Sequence, residues 1–274
     1  MVATSSLPQL SEPEFKGFRQ LLLAESGIQL SDVKRSLVVG RLAKRLAALE
    51  IERFKDYLSL IQRDLQERRI AINLLTTNET YFFREPAHFE FLAQHVAPLL
   101  KQVRQPRIWC GASSTGEEPY TIAMVLADAL GHTRFEVLAS DINTTVLDTA
   151  RRAIYPIADA QSLPKAVRMK HCLKGVGSQE GYFQVSPAIR ACVQFEVINL
   201  NAPLPALGEF DVIFLRNVMI YFGLETKQKL LQRLVPLLRP GGHFFISHSE
   251  SLHGVSTALS AVRPSVYVKK VSTP

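Results

Sequence analysis

The stretch WCGASSTGEEPY, residues 109–120, decides the fold. It leaves an apolar strand through Gly111, turns at Gly116, and runs straight into the amphipathic segment PYTIAMVLADAL, 119–130. A glycine-containing turn between a strand and a helix brings a ligand up to the helix N-terminus, where the first backbone N–H groups have no partner of their own. Downstream, short apolar runs alternate with helical spacing: FEVLAS (135–140), NTTVLDTARRAI (143–154), VQFEVINL (193–200), FDVIFLRNV (210–218), TKQKLLQRLVPLL (226–238), GGHFFIS (241–247) and SVYVKK (265–270). That alternation predicts a doubly wound α/β domain whose parallel sheet is covered on both faces, with its ligand at the carboxyl ends of the strands. LLRPGG, 237–242, reads as a helix stop turning into the next strand.

The glycine turn restricts the ligand. A phosphate-gripping loop would carry Lys and Ser or Thr after its second glycine, whereas Gly116 is followed by Glu117 and Glu118, two carboxylates that repel phosphate. The dinucleotide pattern GxGxxG is also missing. A ligand with a cationic amino group and a sulfonium but no phosphate fits, and S-adenosylmethionine is such a ligand. The two glutamates equally complement the dipole of a first helical turn. Asp141, at the end of the second strand, can accept both hydrogen bonds of a ribose diol, although SDIN also reads as a helix cap. After the fourth strand come Arg216, Asn217 and VMIYF, with neither the [DN]PP[YF] motif of DNA amino-methyltransferases nor a cysteine nucleophile. Nucleic acid is therefore disfavoured as substrate despite a formal charge of +7, which calls for an anionic partner.

Upstream, residues 1–78 read as a helical domain of about four helices, 79–106 as a linker and junction helix, and 107–274 as the α/β domain. Lys34, Arg41, Lys44 and Arg45 form a basic stripe on the second helix, opposite its apolar face, either solvated or a docking face for acidic protein. The segment from about 162 to 191 is too long for a connection. RMKHCL, GYFQV and AIRACV within it predict a small antiparallel β insertion that offers an edge for strand addition or is plain surface elaboration. The opening MVATSSLPQL lacks the regions of a signal peptide, and no apolar run reaches membrane-spanning length, so a cytoplasmic protein is expected. Cys110, Cys172 and Cys192 read as small apolar residues, and the histidines, His88 and His248 among them, show no metal-ligand spacing, so no metal is expected. SHSE, 247–250, reads as a loop cap that could also touch substrate. Tyr81, Phe82 and Phe83 read as interdomain core.

TNETYFFREP, GASSTGEEPYTIAM, ASDIN, VINL and FLRNVMIYF, in this order and spacing, resemble the CheR-type chemotaxis receptor methyltransferases over almost the whole chain. The resemblance implies a class I S-adenosylmethionine-dependent methyltransferase, Rossmann-like, with an N-terminal all-helical domain and a small β insertion. Its implied activity is methylation of glutamate side chains on chemoreceptors, giving methyl esters for sensory adaptation by a cytoplasmic enzyme recruited to receptor arrays. Carried over, it implies cofactor contacts from Asn78, Thr80, Arg84, Gly111, Glu117, Asp141, Asn199, Leu200, Arg216 and Asn217, with Arg84 and Tyr221 beside the methyl transfer path. It implies that the Lys34, Arg41, Lys44, Arg45 stripe recognises the receptor helical bundle, and in some relatives the β insertion binds a receptor C-terminal peptide. One rival is a methyltransferase acting on nucleic acid or a small molecule; another is a non-catalytic receptor-binding module.

Overall fold

The computed structural model describes residues 9–255 and 258–271, so most of the opening stretch read for a signal lies outside it. The chain divides into two compact units, 1–77 with 221–223, and 78–220 with 224–274.

The first unit is built from four helices, α1 (Glu12–Ser26), α2 (Arg35–Ala48), α3 (Phe54–Arg63) and α4 (Leu65–Leu75). Ser11 and Glu14 close a reciprocal capping box on α1, and Gly27 ends that helix in the left-handed region. Phe15, Phe18, Leu22, Val38, Leu42, Leu46, Phe54, Tyr57 and Ile61 are fully buried. Of the basic stripe, Lys44 lies opposite them, Lys34 falls in the turn before α2, and the two arginines do not lie opposite. Arg41 and Arg45 each precede a buried leucine by one residue, a step of about 100° that puts them on the border of the apolar face. There Arg45 pairs in a fork with the buried Glu67, which also accepts from the Tyr57 hydroxyl at 2.7 Å. Arg41 donates to the carbonyls of Leu75 and Thr76 at 2.7 and 2.8 Å and so ties down the end of α4. Lys34 lies over the Tyr221 ring at 5.4 Å, and Lys44 is exposed. Tyr221–Gly223 belongs to this unit by pairing: the Tyr221 carbonyl accepts from Gln29 N at 2.9 Å and Phe222 bridges Ile28.

The second unit continues with α5 (Pro86–Phe91), a π-helical turn (Leu92–Val96) and α6 (Ala97–Leu100), followed by β1 (Arg107–Cys110), α7 (Glu117–Leu130), β2 (Glu136–Asp141), α8 (Thr144–Arg152), β3 (Ile154–Pro156), α9 (Lys165–His171), β4 (Cys172–Lys174), β5 (Tyr182–Val185), α10 (Pro187–Arg190), β6 (Val193–Val197), β7 (Phe210–Phe214), α11 (Leu224–Leu234), β8 (Leu238–Phe245), β9 (Leu259–Arg263) and β10 (Val266–Lys269). The main sheet has the order β6-β2-β1-β7-β8-β10-β9. Five strands are parallel, while β9 and β10 pair antiparallel because Pro264 and Ser265 join them as a tight hairpin. LLRPGG is not a turn before the strand: β8 begins at Leu238 and carries Pro240, Gly241 and Gly242 as an irregularity against β7.

The small sheet, β3-β5-β4, differs from the expected insertion. Its first strand is Ile154–Pro156, ahead of the predicted range; RMKH belongs to α9, and AIRACV divides between α10 and the start of β6. Cys172–Lys174 and Tyr182–Val185 are strands as read. The period-2 signal in such short segments is too weak to separate a single helical turn from a strand. Phe82 packs edge-on against Tyr155 at 5.0 Å and against Phe183 at 5.7 Å, so this ring is core of the second unit, while Tyr81 is exposed and Phe83 half-buried. Cys110 and Cys192 are buried as expected and Cys172 is half-buried. Among the described residues no helix is long and apolar enough to cross a membrane.

Candidate active site at the strand switch point

The sheet grows from β1 outward through β2 to β6, then returns to place β7 on the other side of β1. Between β1 and β7 the strand order reverses, and the crevice past their carboxyl ends is where open α/β sheets take ligands. Gly111 N donates to the Phe214 carbonyl at 2.8 Å and holds the two strand ends together. A side chain at Gly111 would meet Leu215 at 3.0 Å and Leu200 at 4.0 Å, so Gly111 and Leu200 lie close together.

The turn beyond β1 is fixed by Asp141. Its Oδ2 accepts from Ser114 N and its Oδ1 from Asn143 N, both at 2.9 Å. Burial raises its pKa, and these N–H donors oppose the rise. Asn143, whose side chain caps α8 through Thr145 N at 3.0 Å, completes the SDIN turn, so Asp141 organises the loop beside any ligand role. Gly116 caps α7 with φ +100°, and a Cβ there would lie 2.8 Å from the Tyr155 hydroxyl and 2.9 Å from Ala150 Cβ; only glycine fits. The same hydroxyl donates to the Thr115 carbonyl at 2.8 Å.

The two glutamates after Gly116 part company, because successive helical residues point about 100° apart. Glu118 turns inward: its Oε2 meets Arg216 Nη1 at 2.5 Å and its Oε1 accepts from the Cys110 thiol at 3.3 Å. Glu117 is buried, its carboxylate accepts from the Thr115 hydroxyl at 2.7 Å and from its own backbone N–H, and it makes no ion pair among the described residues. Burial pushes its pKa up. Glu117 and Asp141 are thus two enclosed carboxylates next to the switch point without a cationic side chain.

Arg216, implied by the resemblance as a cofactor contact, is 3% exposed and held by protein partners: Glu118, Glu85 at 3.0 Å and the Arg84 carbonyl at 2.6 Å. It fixes the backbone of Arg84. Arg84 is half-buried; its guanidinium donates to the Glu79 carbonyl at 2.7 Å and lies over the Tyr81 ring at 5.7 Å. Phe83 and Glu85, on either side of Arg84, both have positive φ, 56° and 59°. Asn78 joins the turn through its carbonyl, which accepts from Ser114 Oγ at 2.9 Å; Thr80 is half-buried in the same segment. Asn199 Oδ1 accepts from Asn201 N at 2.9 Å, and the Leu200 carbonyl accepts from Arg233 at 2.7 Å, so both sit in a braced loop after β6. Asn217 has φ 57° and donates its N–H to Glu250 at 3.2 Å.

Glu250 also accepts from Ser247 N at 2.9 Å and Ile220 N at 3.2 Å, so SHSE is a cap, clamping the loop after β8 to the loop after β7. Its clamping role, like those of Glu85 and Glu118, depends on partners far along the chain and leaves no local mark in the sequence. A cavity of about 560 Å³ lies elsewhere, lined by Phe83, Phe89, Ala93, Val125, Ala129 and Val167 among others, and none of the expected site residues borders it.

Two family descriptions match the chain: "CheR methyltransferase, all-alpha domain" over residues 13–76 and "CheR methyltransferase, SAM binding domain" over residues 78–268. The chain is 42% identical over 257 residues to chemotaxis protein methyltransferase 2 of Pseudomonas aeruginosa, covering 93% of this chain and 92% of that one. It is 41% identical to the chemotaxis protein methyltransferase of Salmonella typhimurium (94% and 90% covered) and 41% identical to that of Escherichia coli (94% and 91%).

Proposed function

From the premise that the chain belongs to the CheR methyltransferase family and is an S-adenosylmethionine-dependent methyltransferase, we propose that it esterifies glutamate side chains on the cytoplasmic helices of chemoreceptors, for sensory adaptation. The observation that carries the cofactor half of the reading is the pair of buried carboxylates, Glu117 and Asp141, which lack a cationic partner at the switch point. They fit a ligand with an ammonium group and a ribose diol. Glu117 would hold the ammonium and Asp141 the diol, with Asn78, Thr80, Gly111, Asn199, Leu200 and Asn217 lining the remainder. Arg216 acts through Arg84 and Glu118.

When bound, S-adenosylmethionine supplies a methyl group on a cationic sulfur. A receptor glutamate, with a pKa of about 4.3, is ionised at neutral pH and needs no general base. The protein's task is then to orient a weak nucleophile and exclude water from it. Arg84 offers a fork of donors suited to a carboxylate, and its backbone is already pinned. Tyr221, which the family resemblance puts beside the methyl transfer path, would hold the second carboxylate oxygen or the sulfonium side. Docking on the receptor falls to Lys34 and Lys44, since Arg41 and Arg45 are occupied within their own unit. A receptor C-terminal peptide would add to the edge of the small β sheet.

The test is to incubate the protein with methyl-labelled S-adenosylmethionine and receptor-bearing membranes, then release the label with mild base. Base-labile label leaving as methanol is the expected result. Normal cofactor binding with no receptor label would move the substrate to a small molecule or nucleic acid. Arg84→Ala should depress turnover more than cofactor affinity, and Tyr221→Phe should slow turnover at unchanged cofactor affinity; normal turnover in either variant removes that residue from the reaction.

A further inference from the structure

Next to the Arg84 segment, the fold assembles a cluster that the spacing of the histidines conceals. Glu85 caps α5, His88 lies one turn along that helix, and His248 arrives from the loop after β8. One nitrogen from each histidine and one Glu85 oxygen all lie within 4.8 Å of one another. Ser265 Oγ lies 2.6 Å from the Pro264 carbonyl and 2.6 Å from His88 Nε2, an arrangement that suits a proton on Nε2 and leaves Nδ1 as the ligating nitrogen. That atom is buried without a hydrogen-bond partner, on a residue 1% exposed, and it faces Glu85 Oε2 at 3.3 Å. His248 Nε2 stands 3.6 Å from the same oxygen. The same Glu85 oxygen pairs with Arg216 Nη2 at 3.0 Å and accepts from His248 N at 3.2 Å, so the cluster gathers two imidazole nitrogens around a carboxylate oxygen that Arg216 also holds.

Neutral imidazole is the form that ligates metals. Two imidazoles and a carboxylate are a donor set for a borderline transition metal such as zinc, with an open position left for water. In a tetrahedral site with metal–ligand bonds near 2.1 Å, ligand atoms stand about 3.4 Å apart; the 3.3 and 3.6 Å separations already match. The third edge closes by a tilt of the half-exposed His248 ring, now stacked on His88 at 4.6 Å. The Ser265 bond orients His88 as an outer partner should. If Glu85 turns to the metal, Arg216 keeps Glu118 as counter-charge.

We infer that Glu85, His88 and His248 form a binding site for a zinc-class divalent cation that staples the segment carrying Arg84 to the loop after β8. The site lies outside the residues expected to bind cofactor. Arg216 and Arg263 oppose a dication, so binding should be reversible and removed by chelators. The experiment uses the tag-free full chain, stripped of metal, titrated at neutral pH with Co²⁺ in the visible spectrum and with Zn²⁺ by calorimetry and thermal melting. One equivalent of Co²⁺ should develop visible bands that Zn²⁺ abolishes, and Zn²⁺ should raise the melting temperature. His248→Ala, on the exposed side, should weaken binding by at least about tenfold while leaving the metal-free melting temperature unchanged, and Glu85→Gln should weaken it as well. Absence of a saturable site, or a site that survives both substitutions, overturns the inference.

Discussion

Replacing Asp141 by Asn tests the site most directly, because the side chain has two duties that the change separates. Its oxygens accept from Ser114 N and Asn143 N at 2.9 Å each. Asparagine keeps one oxygen and turns an NH₂ toward the other N–H, leaving a buried donor unpaired at a cost of about 1–3 kcal/mol. Removing a carboxylate whose ionised form burial already penalises offsets part of this. The unliganded protein should therefore lose only about 1 kcal/mol. Cofactor affinity should suffer more. A charge-assisted hydrogen bond to a ribose hydroxyl contributes about 1.5–3 kcal/mol, and losing one raises Kd by roughly 10- to 150-fold. The assay is calorimetry with S-adenosylhomocysteine, which binds without turnover, and with its 2′- and 3′-deoxy analogues. If Asp141 holds the diol, deleting a hydroxyl and changing Asp141 will be non-additive. A Kd within about threefold of the parent, or full additivity with both analogues, refutes the assignment.

Arg216→Met should destabilise the second unit by about 3–5 kcal/mol, because Glu118 and Glu85 lose their buried counter-charge; urea unfolding reads this, and a shift below about 1 kcal/mol would contradict the hub described above. Arg45→Ala should lower stability by about 2–3 kcal/mol through Glu67, whereas Lys44→Ala should leave melting unchanged and weaken receptor binding alone. Burial raises the Glu117 pKa above its ordinary 4.5, so on acidification its charge is lost earlier than that of an exposed carboxylate. Affinity for S-adenosylmethionine should then fall while affinity for 5′-methylthioadenosine, which lacks the ammonium, stays level. Because the folded state holds this proton more tightly than the unfolded one, the same acidification should favour folding of the unliganded protein through Glu117, a contribution that Glu117→Gln abolishes in pH-dependent melting.

The doubly wound order was legible because β1, β2 and β7 are continuous apolar runs, and burial on both faces demands that composition. The four helices of the first unit were legible for the equivalent reason at helical period. What was not legible depends on partners remote in sequence. Nothing in the spacing of Arg41 and Arg45 separates a docking arginine from one held by Glu67 or the end of α4, since both kinds border an apolar stripe. Arg216 looked like a ligand contact because it follows a strand end, the right place topologically, yet Glu85 and Glu118 meet it from elements about 130 and 100 residues away. His88 and His248 lie 160 residues apart and share no local pattern.

Of the six described non-glycine residues of the second unit with positive φ, Ala153 ends α8 and Ser265 turns the β9–β10 hairpin, whereas Phe83, Glu85, Ser114 and Asn217 gather at one place, at a cost of order 1 kcal/mol each. They flank Arg84, hold the turn on Asp141, and join the loops after β7 and β8 through Glu250. Such backbone persists only where the surroundings over-determine it, and here they do: Arg216 grips the Arg84 carbonyl, Thr121 takes Phe83 N at 3.3 Å, and Asp141 takes Ser114 N. Each of these partners is itself buried, so relaxing one strained residue would strand a polar group away from water. The arrangement braces the loops at the switch point against one another. A weak nucleophile that needs no base depends on such placement more than on any single catalytic group, because orientation is the largest contribution left for the protein to make.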